Sequence, residues 1–232
     1  MISITPPIVQ LALDYATFEE ALEMARIGVE AGVDWLEIGT PLIVCEGLSP
    51  IGRMVREFPN YPVLADYKTM DSGGKNVHRT RAQGGHVMTV CANAPDETVK
   101  AAVTASKETD VMVVVDTIGV KNQAARARQC ADWGVHMIYL HYGADQRNAD
   151  ASSDSVQWLD EVLQAVDVPV GVGTFGVEDA VRAVSKGASL VAIGHPLISG
   201  PSAARDLKEY VRAVRDNYRT SKAPHQSTSV SN

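Results

Sequence analysis

The segment LADYKTMD, residues 64–71, places three ionisable side chains directly behind an apolar run. Asp66, Lys68 and Asp71 lie within six residues and follow the segment YPVLA at residues 61–65. Two acids and a lysine at the end of a buried segment are costly to bury unless they pair with each other or bind something. Residues 66–71 are therefore a candidate functional site.

Other ionisable residues stand at the ends of the other apolar runs, whose interiors carry almost no charge. They are Asp14, Glu37, Asp116, His141 and, in the loop after His141, Asp145. Glu37 and Asp66 supply hard oxygen ligands, which suit Mg²⁺ with water and substrate oxygens completing its shell. Lys68 lies on the same strand face as Asp66 and can stabilise a developing enolate oxygen. His141 suits proton transfer near neutral pH.

The elements that must position these residues alternate regularly along the chain. Apolar, strand-like runs separated by helical patterns span residues 8–14, 35–39, 61–68, 86–92, 110–117, 136–143, 169–174 and 189–195. Such strands are typical of a parallel sheet covered by helices. Eight units in about 215 residues predict a single (β/α)8 barrel. An open doubly wound sheet is the alternative, but no G-x-G-x-x-G follows the first strand.

The barrel prediction explains where the ionisable residues stand. Catalytic groups of this fold lie at the C-terminal ends of the strands, so the acids, Lys68 and His141 should converge on one mouth. The loops after strands seven and eight usually bind phosphate. Here they contain GVGTFG (171–176) and Gly194, followed by helices that begin near Val177 and Ser202. Backbone N–H groups and helix dipoles at these two loops predict a phosphate site.

Composition limits the protein class. The chain has 232 residues, a net charge of −7 and three widely spaced cysteines. These features disfavour nucleic acid as a partner and suggest neither a zinc site nor a disulfide framework. With no signal peptide and no apolar run of membrane-spanning length, we expect a cytoplasmic protein. Residues 1–218 should form one barrel domain, and the polar residues 219–232 a disordered tail.

Four stretches give the sequence a family resemblance. They are QLALD (10–14), EIGTPL (37–42), ADYKTMDSG (65–73) and LHYGADQ (140–146). With their order and spacing, the chain resembles the 3-hexulose-6-phosphate synthase family of the orotidine-5'-monophosphate decarboxylase suprafamily. A close relative of that family is 3-keto-L-gulonate-6-phosphate decarboxylase. The D-x-K-x-x-D motif is specific for the suprafamily.

The resemblance implies an activity and catalytic roles. It implies a Mg²⁺-dependent aldolase that joins formaldehyde to ribulose 5-phosphate through a metal-stabilised enediolate, giving 3-hexulose 6-phosphate. Glu37 and Asp66 would hold the metal, Lys68 would stabilise the enediolate, and His141 would remove a C1 proton. Asp71 would reach the neighbouring subunit's site, which implies a homodimer with shared active sites.

Substrate contacts are also implied, and some depart from the family pattern. Asp14 would contact substrate hydroxyls and Lys68, and Asp145 belongs to the synthase-like pattern H-x-G-x-D-Q. The family usually has an A-G-G-I-like turn after strand seven, where this chain has VGTFGV. After Gly194 it has His195 and Pro196 instead of a second glycine or an arginine. The phosphate contacts are therefore expected from Gly173 and Gly194, with Thr174 or His195 as side-chain donors.

Two alternatives remain open. A decarboxylase of a 3-keto sugar-acid phosphate would use the same enediolate, as would a related lyase of another sugar-phosphate specificity. In that decarboxylase an arginine follows the histidine by three residues, whereas this chain has Ala144, which favours the synthase. The other alternative is a sugar-phosphate-binding protein without activity. Because Asp14, Glu37 and the other expected catalytic residues are all present, it is less favoured.

Overall fold

The structure, a computed structural model, describes residue 2 and residues 4–218. Eight parallel strands form a closed barrel in chain order, with β8 paired to β1. The strands are β1 (Ile8–Leu13), β2 (Trp35–Ile38), β3 (Val63–Thr69), β4 (Val87–Cys91), β5 (Met112–Asp116), β6 (Met137–Leu140), β7 (Val170–Gly173) and β8 (Leu190–Ile193). The predicted (β/α)8 barrel is confirmed.

Helices follow the strands and surround the barrel. They are α1 (Phe18–Ala31), α2 (Thr40–Glu46), α3 (Ser49–Glu57), α4 (Gly73–Ala82), α5 (Asp96–Thr109), α6 (Gln123–Trp133), α7 (Ala144–Ala149), α8 (Leu159–Ala165), α9 (Val177–Ser185) and α10 (Ala203–Asn217). A single 3₁₀ turn, Ser155–Trp158, precedes α8.

Two connections differ from the sequence expectation. The weak helical pattern over residues 44–58 resolves into α2 and α3, each with a proline in its first turn, where a missing N–H is tolerated. Gly47, at φ 70°, separates the two helices. The loop after strand six contains a further short helix, α7, which the sequence pattern did not indicate.

Alternate side chains of each strand face opposite sides of the barrel wall, so the protein has two apolar cores. The interior core consists of Ile8, Trp35, Leu64, Val87, Met112, Val114, Met137, Leu190 and Ala192. The larger core lies between the wall and the helices. Because the strand period is two, the residue two positions after each interior residue also faces inward. Glu37 thus follows Trp35, Asp66 follows Leu64 and Asp116 follows Val114, which brings the acids to the C-terminal mouth.

Three sequence expectations concern the rest of the chain. Within the described residues, none of the helices combines the length and the apolar character needed to span a membrane. Cys45, Cys91 and Cys130 are free thiols, and the last two are buried. The predicted tail, residues 219–232, lies outside the described residues.

Candidate active site

A break in the regular geometry of β3 positions the central lysine. The pairing register between β3 and β4 shifts between Ala65 and Thr69, and Lys68 adopts a positive φ of 45°. This conformation costs a lysine about 1–2 kcal/mol unless surrounding contacts hold it. The Lys68 backbone N–H donates to the Thr89 hydroxyl at 3.0 Å, which is one such contact. The bulge turns the Lys68 ammonium group back onto the carboxylate of Asp66.

Asp66 is buried and accepts hydrogen bonds on both of its carboxylate oxygens. Its Oδ1 accepts from the Thr89 hydroxyl at 2.7 Å, and its Oδ2 accepts from the Thr40 hydroxyl at 2.9 Å and from Lys68. Burial alone would raise the pKa of Asp66, but the charge of Lys68 and the bonds from Lys68 and Thr89 lower it below its usual value. Asp66 is therefore an anion in the folded protein.

The surroundings of Glu37 shift its pKa in the opposite direction. Its carboxylate is 7% exposed and accepts a hydrogen bond from the Gln10 amide. Burial, followed by the neighbouring Asp66 and Asp14 carboxylates, raises the pKa of Glu37 well above its usual value. A bound cation would offset the repulsion between this buried carboxylate and the neighbouring acids.

Asp116 and His141 form a directed pair. Asp116 is 1% exposed, its Oδ1 accepts the Ile118 N–H at 2.8 Å, and its Oδ2 lies 2.7 Å from Nδ1 of His141. With Nδ1 bound to the carboxylate, Nε2 is the ring nitrogen left for a substrate. A buried carboxylate behind an imidazole fixes its tautomer and stabilises the imidazolium, so this pair suits general base catalysis.

Lys68 lies between the carboxylates of Asp66 and Asp116. Its Nζ contacts Asp66, approaches Oδ2 of Asp116 at 4.0 Å and lies 3.2 Å from the Thr40 hydroxyl. Although burial acts to lower it, the carboxylates of Asp66, Asp116 and Glu37 raise the pKa of Lys68 above its ordinary value. The ammonium group is therefore permanently charged at the centre of the pocket.

Asp14 stands at the rim of the same pocket. A Cβ on Gly39 would lie 2.1 Å from Oδ1 of Asp14, so only glycine at position 39 lets the carboxylate pack against β2. Loss of water contact and the Asp66 carboxylate raise the pKa of Asp14, while Lys68 opposes the shift. Asp14 lines the pocket together with Lys68 and His141, as the sequence predicted.

The strand-seven and strand-eight loops only partly match the predicted phosphate site. Gly173, Thr174, Gly194 and His195 all line the pocket. The Thr174 hydroxyl, however, is bonded to the Ala192 carbonyl at 2.8 Å and to the Tyr210 hydroxyl at 2.7 Å. The Thr174 hydroxyl is thus held by β8 and by Tyr210 of α10, and it would have to give up the Ala192 carbonyl to donate to a phosphate, so that role stays a prediction.

His195 and the start of α10 complete the description of the strand-eight loop. The exposed His195 ring packs edge-on against Tyr15, and its Nδ1 lies 2.6 Å from the Ser199 hydroxyl. His195 thus borders the pocket, while its Nδ1 is directed to Ser199 outside it. The last helix begins at Ala203, after turns over residues 196–202, so its N-terminus does not directly follow the strand.

Two expected site residues lie apart from this pocket. Asp71 is exposed in the loop after β3, where its carboxylate accepts a hydrogen bond from Ser72 at 3.3 Å. Asp145 is exposed in the first turn of α7 and does not line the pocket. Because α7 begins at Ala144, it is Ala144 that borders the pocket, and the expected substrate contact of Asp145 stays a prediction.

Several site residues carried no predicted role. Thr40 and Thr89 hold Asp66, Gln10 holds Glu37, and Asp116, which the strand-end pattern had identified, orients His141. The signal for Thr89 and Gln10 was available, since each is a polar residue at an inward position of an otherwise apolar strand.

Tyr139 is another unpredicted pocket residue. It lies on β6 two residues before His141, faces the barrel interior and packs edge-on against the His141 ring at 5.5 Å. A Cβ on Gly171 would lie 3.2 Å from the Tyr139 ring, and one on Gly173 would lie 2.7 Å from its hydroxyl. The strand-seven glycines therefore make room for this ring, which is a packing role that the sequence did not reveal.

The acid residues fit a divalent metal held by few protein ligands. Among the described residues, no group of three or more His, Cys, Asp or Glu side chains is arranged as a metal cage. Glu37 and Asp66 instead offer two neighbouring buried carboxylates in a pocket whose acids outnumber Lys68. Mg²⁺ commonly binds through one or two carboxylates and keeps waters or substrate oxygens as its other ligands.

Comparison with known proteins agrees with this geometry. A Bacillus subtilis 3-hexulose-6-phosphate synthase is 38% identical over 136 residues, which is 59% of this chain and 64% of that protein. The Mycobacterium gastri 3-hexulose-6-phosphate synthase is 36% identical over 86% of this chain and 97% of its own length. A crystal structure of a 3-hexulose-6-phosphate synthase superposes with a TM-score of 0.82 at 33% identity, over 89% of this chain and 99% of that one.

The family model matches a similar span. It is described as the orotidine 5'-phosphate decarboxylase / HUMPS family and matches residues 7–210, from the start of β1 into α10. The resemblance predicted from the four sequence stretches is thus confirmed. The chain belongs to the orotidine 5'-phosphate decarboxylase / HUMPS family.

Proposed function

We propose that this chain is a Mg²⁺-dependent aldolase of the cytoplasm that joins formaldehyde to ribulose 5-phosphate and forms 3-hexulose 6-phosphate. Relatives named 3-hexulose-6-phosphate synthase align with 89% and 86% of this chain. The observation that carries the proposal is a connected set of contacts at one barrel mouth. Asp116 contacts His141, and Lys68 contacts Asp66 and approaches Asp116. It combines an oriented base with a fixed positive charge, which is what enediolate formation requires.

In this proposal the first step is proton removal. Nε2 of His141 takes a proton from C1 of the ketose phosphate, and the C1–H electrons form the enediolate. Asp116 keeps the Nδ1–H tautomer and stabilises the imidazolium that results. The Lys68 charge, unable to move far because it contacts both Asp66 and Thr40, stabilises the enediolate oxygens. Mg²⁺ held by Glu37 and Asp66 would supply a Lewis acid for the substrate oxygens.

The second step is carbon–carbon bond formation. The enediolate C1 attacks the formaldehyde carbon, and the carbonyl electron pair moves to the formaldehyde oxygen. That oxygen takes the proton from the His141 imidazolium, which returns the base to its neutral state. The former C2 carbonyl becomes C3 of the product, so the reaction gives a 3-hexulose with its phosphate unchanged.

The phosphate end of the substrate is assigned to the strand-eight side of the pocket. Gly194 lies against Ala12 and Asp14, and His195 offers a ring nitrogen beside them. Asp14 then faces the substrate hydroxyls between the phosphate and the reacting carbon.

The residues around α7 support the synthase over the decarboxylase. Ala144 borders the pocket and leaves space next to His141. The arginine of α7, Arg147, is directed elsewhere, since it lies over the Phe175 ring at 5.1 Å and donates to the Ser153 carbonyl at 2.8 Å. No guanidinium from this helix is therefore placed to assist protonation of the enediolate.

The homodimer is also part of the proposal. Asp71 lies outside its own pocket, and Met70 beside it is 51% exposed. On α2, Val44 is 77% exposed. Two exposed apolar side chains, one of them next to Asp71 in the chain, suit an interface through which Asp71 reaches a second copy's pocket.

Proton NMR of ribulose 5-phosphate with enzyme and Mg²⁺ in D₂O tests the proposal. We expect loss of the C1 proton signal without formaldehyde and appearance of a 3-hexulose 6-phosphate with it. Release of CO₂ from a 3-keto sugar-acid phosphate without formaldehyde addition would instead establish the decarboxylase. Tight binding of ribulose 5-phosphate with no exchange would establish the inactive binding protein.

A further inference from the structure

Tyr139 is the pocket residue for which the proposed proton transfers provide no role. It is on the same inward face of β6 as His141, one layer deeper in the barrel. Its ring contacts the His141 ring at 5.5 Å between centroids and 66° between planes. The Tyr139 side chain thus forms part of the pocket floor directly below the proposed base.

The hydroxyl of Tyr139 has no hydrogen bond within the described part of the chain. A tyrosine hydroxyl that is removed from bulk water usually finds a partner, as Tyr210 does with Thr174 at 2.7 Å. The Tyr139 hydroxyl instead points to the pocket beside Gly173. A donor left open at a pocket wall is available for a ligand.

The neutral donors beside Glu37 and Asp66 are already committed to these two carboxylates. The Gln10 amide donates to Glu37, and the Thr89 and Thr40 hydroxyls donate to Asp66. Lys68 contacts Asp66 and Thr40, on the side of the pocket assigned to the enediolate. Among the neutral side-chain donors that the strands place in the pocket, Tyr139 is therefore the one left open for the oxygen of the second substrate, the aldehyde.

We propose that the Tyr139 hydroxyl donates a hydrogen bond to the oxygen of the acceptor aldehyde and stabilises the negative charge that develops there. This inference rests on the proposed aldol reaction. As the C1–carbon bond forms, the carbonyl π pair moves to the aldehyde oxygen, which holds the Tyr139 hydrogen bond. The proton that neutralises this oxygen comes from the His141 imidazolium, so the phenol keeps its own proton throughout.

The inference separates the two half-reactions. Proton removal from C1 needs His141, Asp116 and Lys68 but involves no aldehyde. Carbon–carbon bond formation needs the aldehyde oxygen to accept charge. A residue that only positions His141 would affect both half-reactions together, whereas the Tyr139 hydroxyl should affect the second alone.

The experiment is Tyr139→Phe, which removes one oxygen and keeps the ring between Gly171, Gly173 and His141. We expect C1 proton exchange in D₂O to stay within about twofold of the unmodified enzyme, and kcat/KM for formaldehyde to fall about 10²-fold, as for loss of one donor to a developing oxyanion. Tyr61→Phe, at the opposite end of the barrel before β3, is the matched control and should change neither rate.

Other results would contradict the proposed role of Tyr139 or the proposed reaction itself. Equal losses of exchange and addition in Tyr139→Phe would assign Tyr139 to positioning His141, and no loss in either would remove it from the reaction. A melting temperature equal to that of the unmodified enzyme shows that the variant is folded. If the unmodified enzyme neither exchanges the C1 proton nor consumes formaldehyde, the proposed function itself fails, independently of Tyr139.

Discussion

Replacing Asp116 with asparagine tests the base assignment most directly. The side chain is 1% exposed and nearly isosteric with asparagine, so its Oδ1 can still accept the Ile118 N–H. The new NH₂ group, however, would face Nδ1 of His141, where the carboxylate now lies at 2.7 Å. Nδ1 would then have to accept, the ring proton would move to Nε2, and the nitrogen facing the substrate could no longer take a proton.

The expected magnitude follows from the lost charge as well as the tautomer. Two unit charges about 4 Å apart interact by about 4 kcal/mol at an effective dielectric constant of about 20. Losing that stabilisation of the imidazolium corresponds to about 10³-fold in rate. Lys68, whose Nζ is 4.0 Å from the same carboxylate, retains Asp66 as a partner and should stay in place.

The assay is the rate of C1 proton exchange of ribulose 5-phosphate in D₂O, measured from pH 6 to about pH 9, near and above the usual range of histidine. Asp116→Asn should exchange about 10³-fold more slowly across this range, with binding of ribulose 5-phosphate retained. Asp160→Asn, which removes an exposed carboxylate paired with Lys186 on the outer surface, is the control and should leave exchange unchanged. Exchange in Asp116→Asn within about fivefold of the unmodified enzyme, or about 1 kcal/mol, would show that His141 is not an Asp116-dependent base.

Three further predictions concern the metal, the dimer and the reaction type. Burial raises the folded-state pKa of Glu37, so the contribution of Glu37 to folding stability declines as the pH rises above the usual glutamate range. Glu37→Gln should therefore raise the metal-free melting temperature at pH 8 while activity is lost. An unchanged melting temperature would contradict the burial argument. If Asp71 serves the partner's site, mixing inactive Lys68→Ala and Asp71→Ala chains should recover about a quarter of the activity of the unmodified enzyme. About half of the dimers are then mixed, and each mixed dimer holds one intact site. No recovery after verified subunit exchange would place Asp71 in the site of its own subunit. Ala144→Arg should shift product partitioning from addition towards decarboxylation by about tenfold, or about 1.4 kcal/mol, measured with both substrates; an unchanged ratio would show that position 144 does not distinguish the two reactions.

Sequence patterns predicted the barrel and the acidic mouth because both depend on periodicity. Each strand was recognised within three residues at either end, since an apolar run bounded by helical patterns needs no tertiary information. Glu37, Asp66, Lys68 and His141 were placed at one mouth because all parallel strands end there. Their side chains do line a single pocket.

The details that depend on contacts across the barrel could not be predicted. The hydroxyl of Thr174 is one example, because only the packed structure shows that Ala192 and Tyr210 bind it. The positive φ of Lys68 is another, since it arises from a register shift against β4 rather than from residue type. The position of Asp145 outside the pocket is a third, because the short helix α7 has only six residues, too few for a periodic signal in the sequence.

The space left by the glycines of β7 also constrains how this chain could have evolved. A Cβ at position 173 would lie 2.7 Å from the Tyr139 hydroxyl, so the Tyr139 side chain would have to shift to admit it. Glycine at 173 and tyrosine at 139 are therefore expected to covary among homologues.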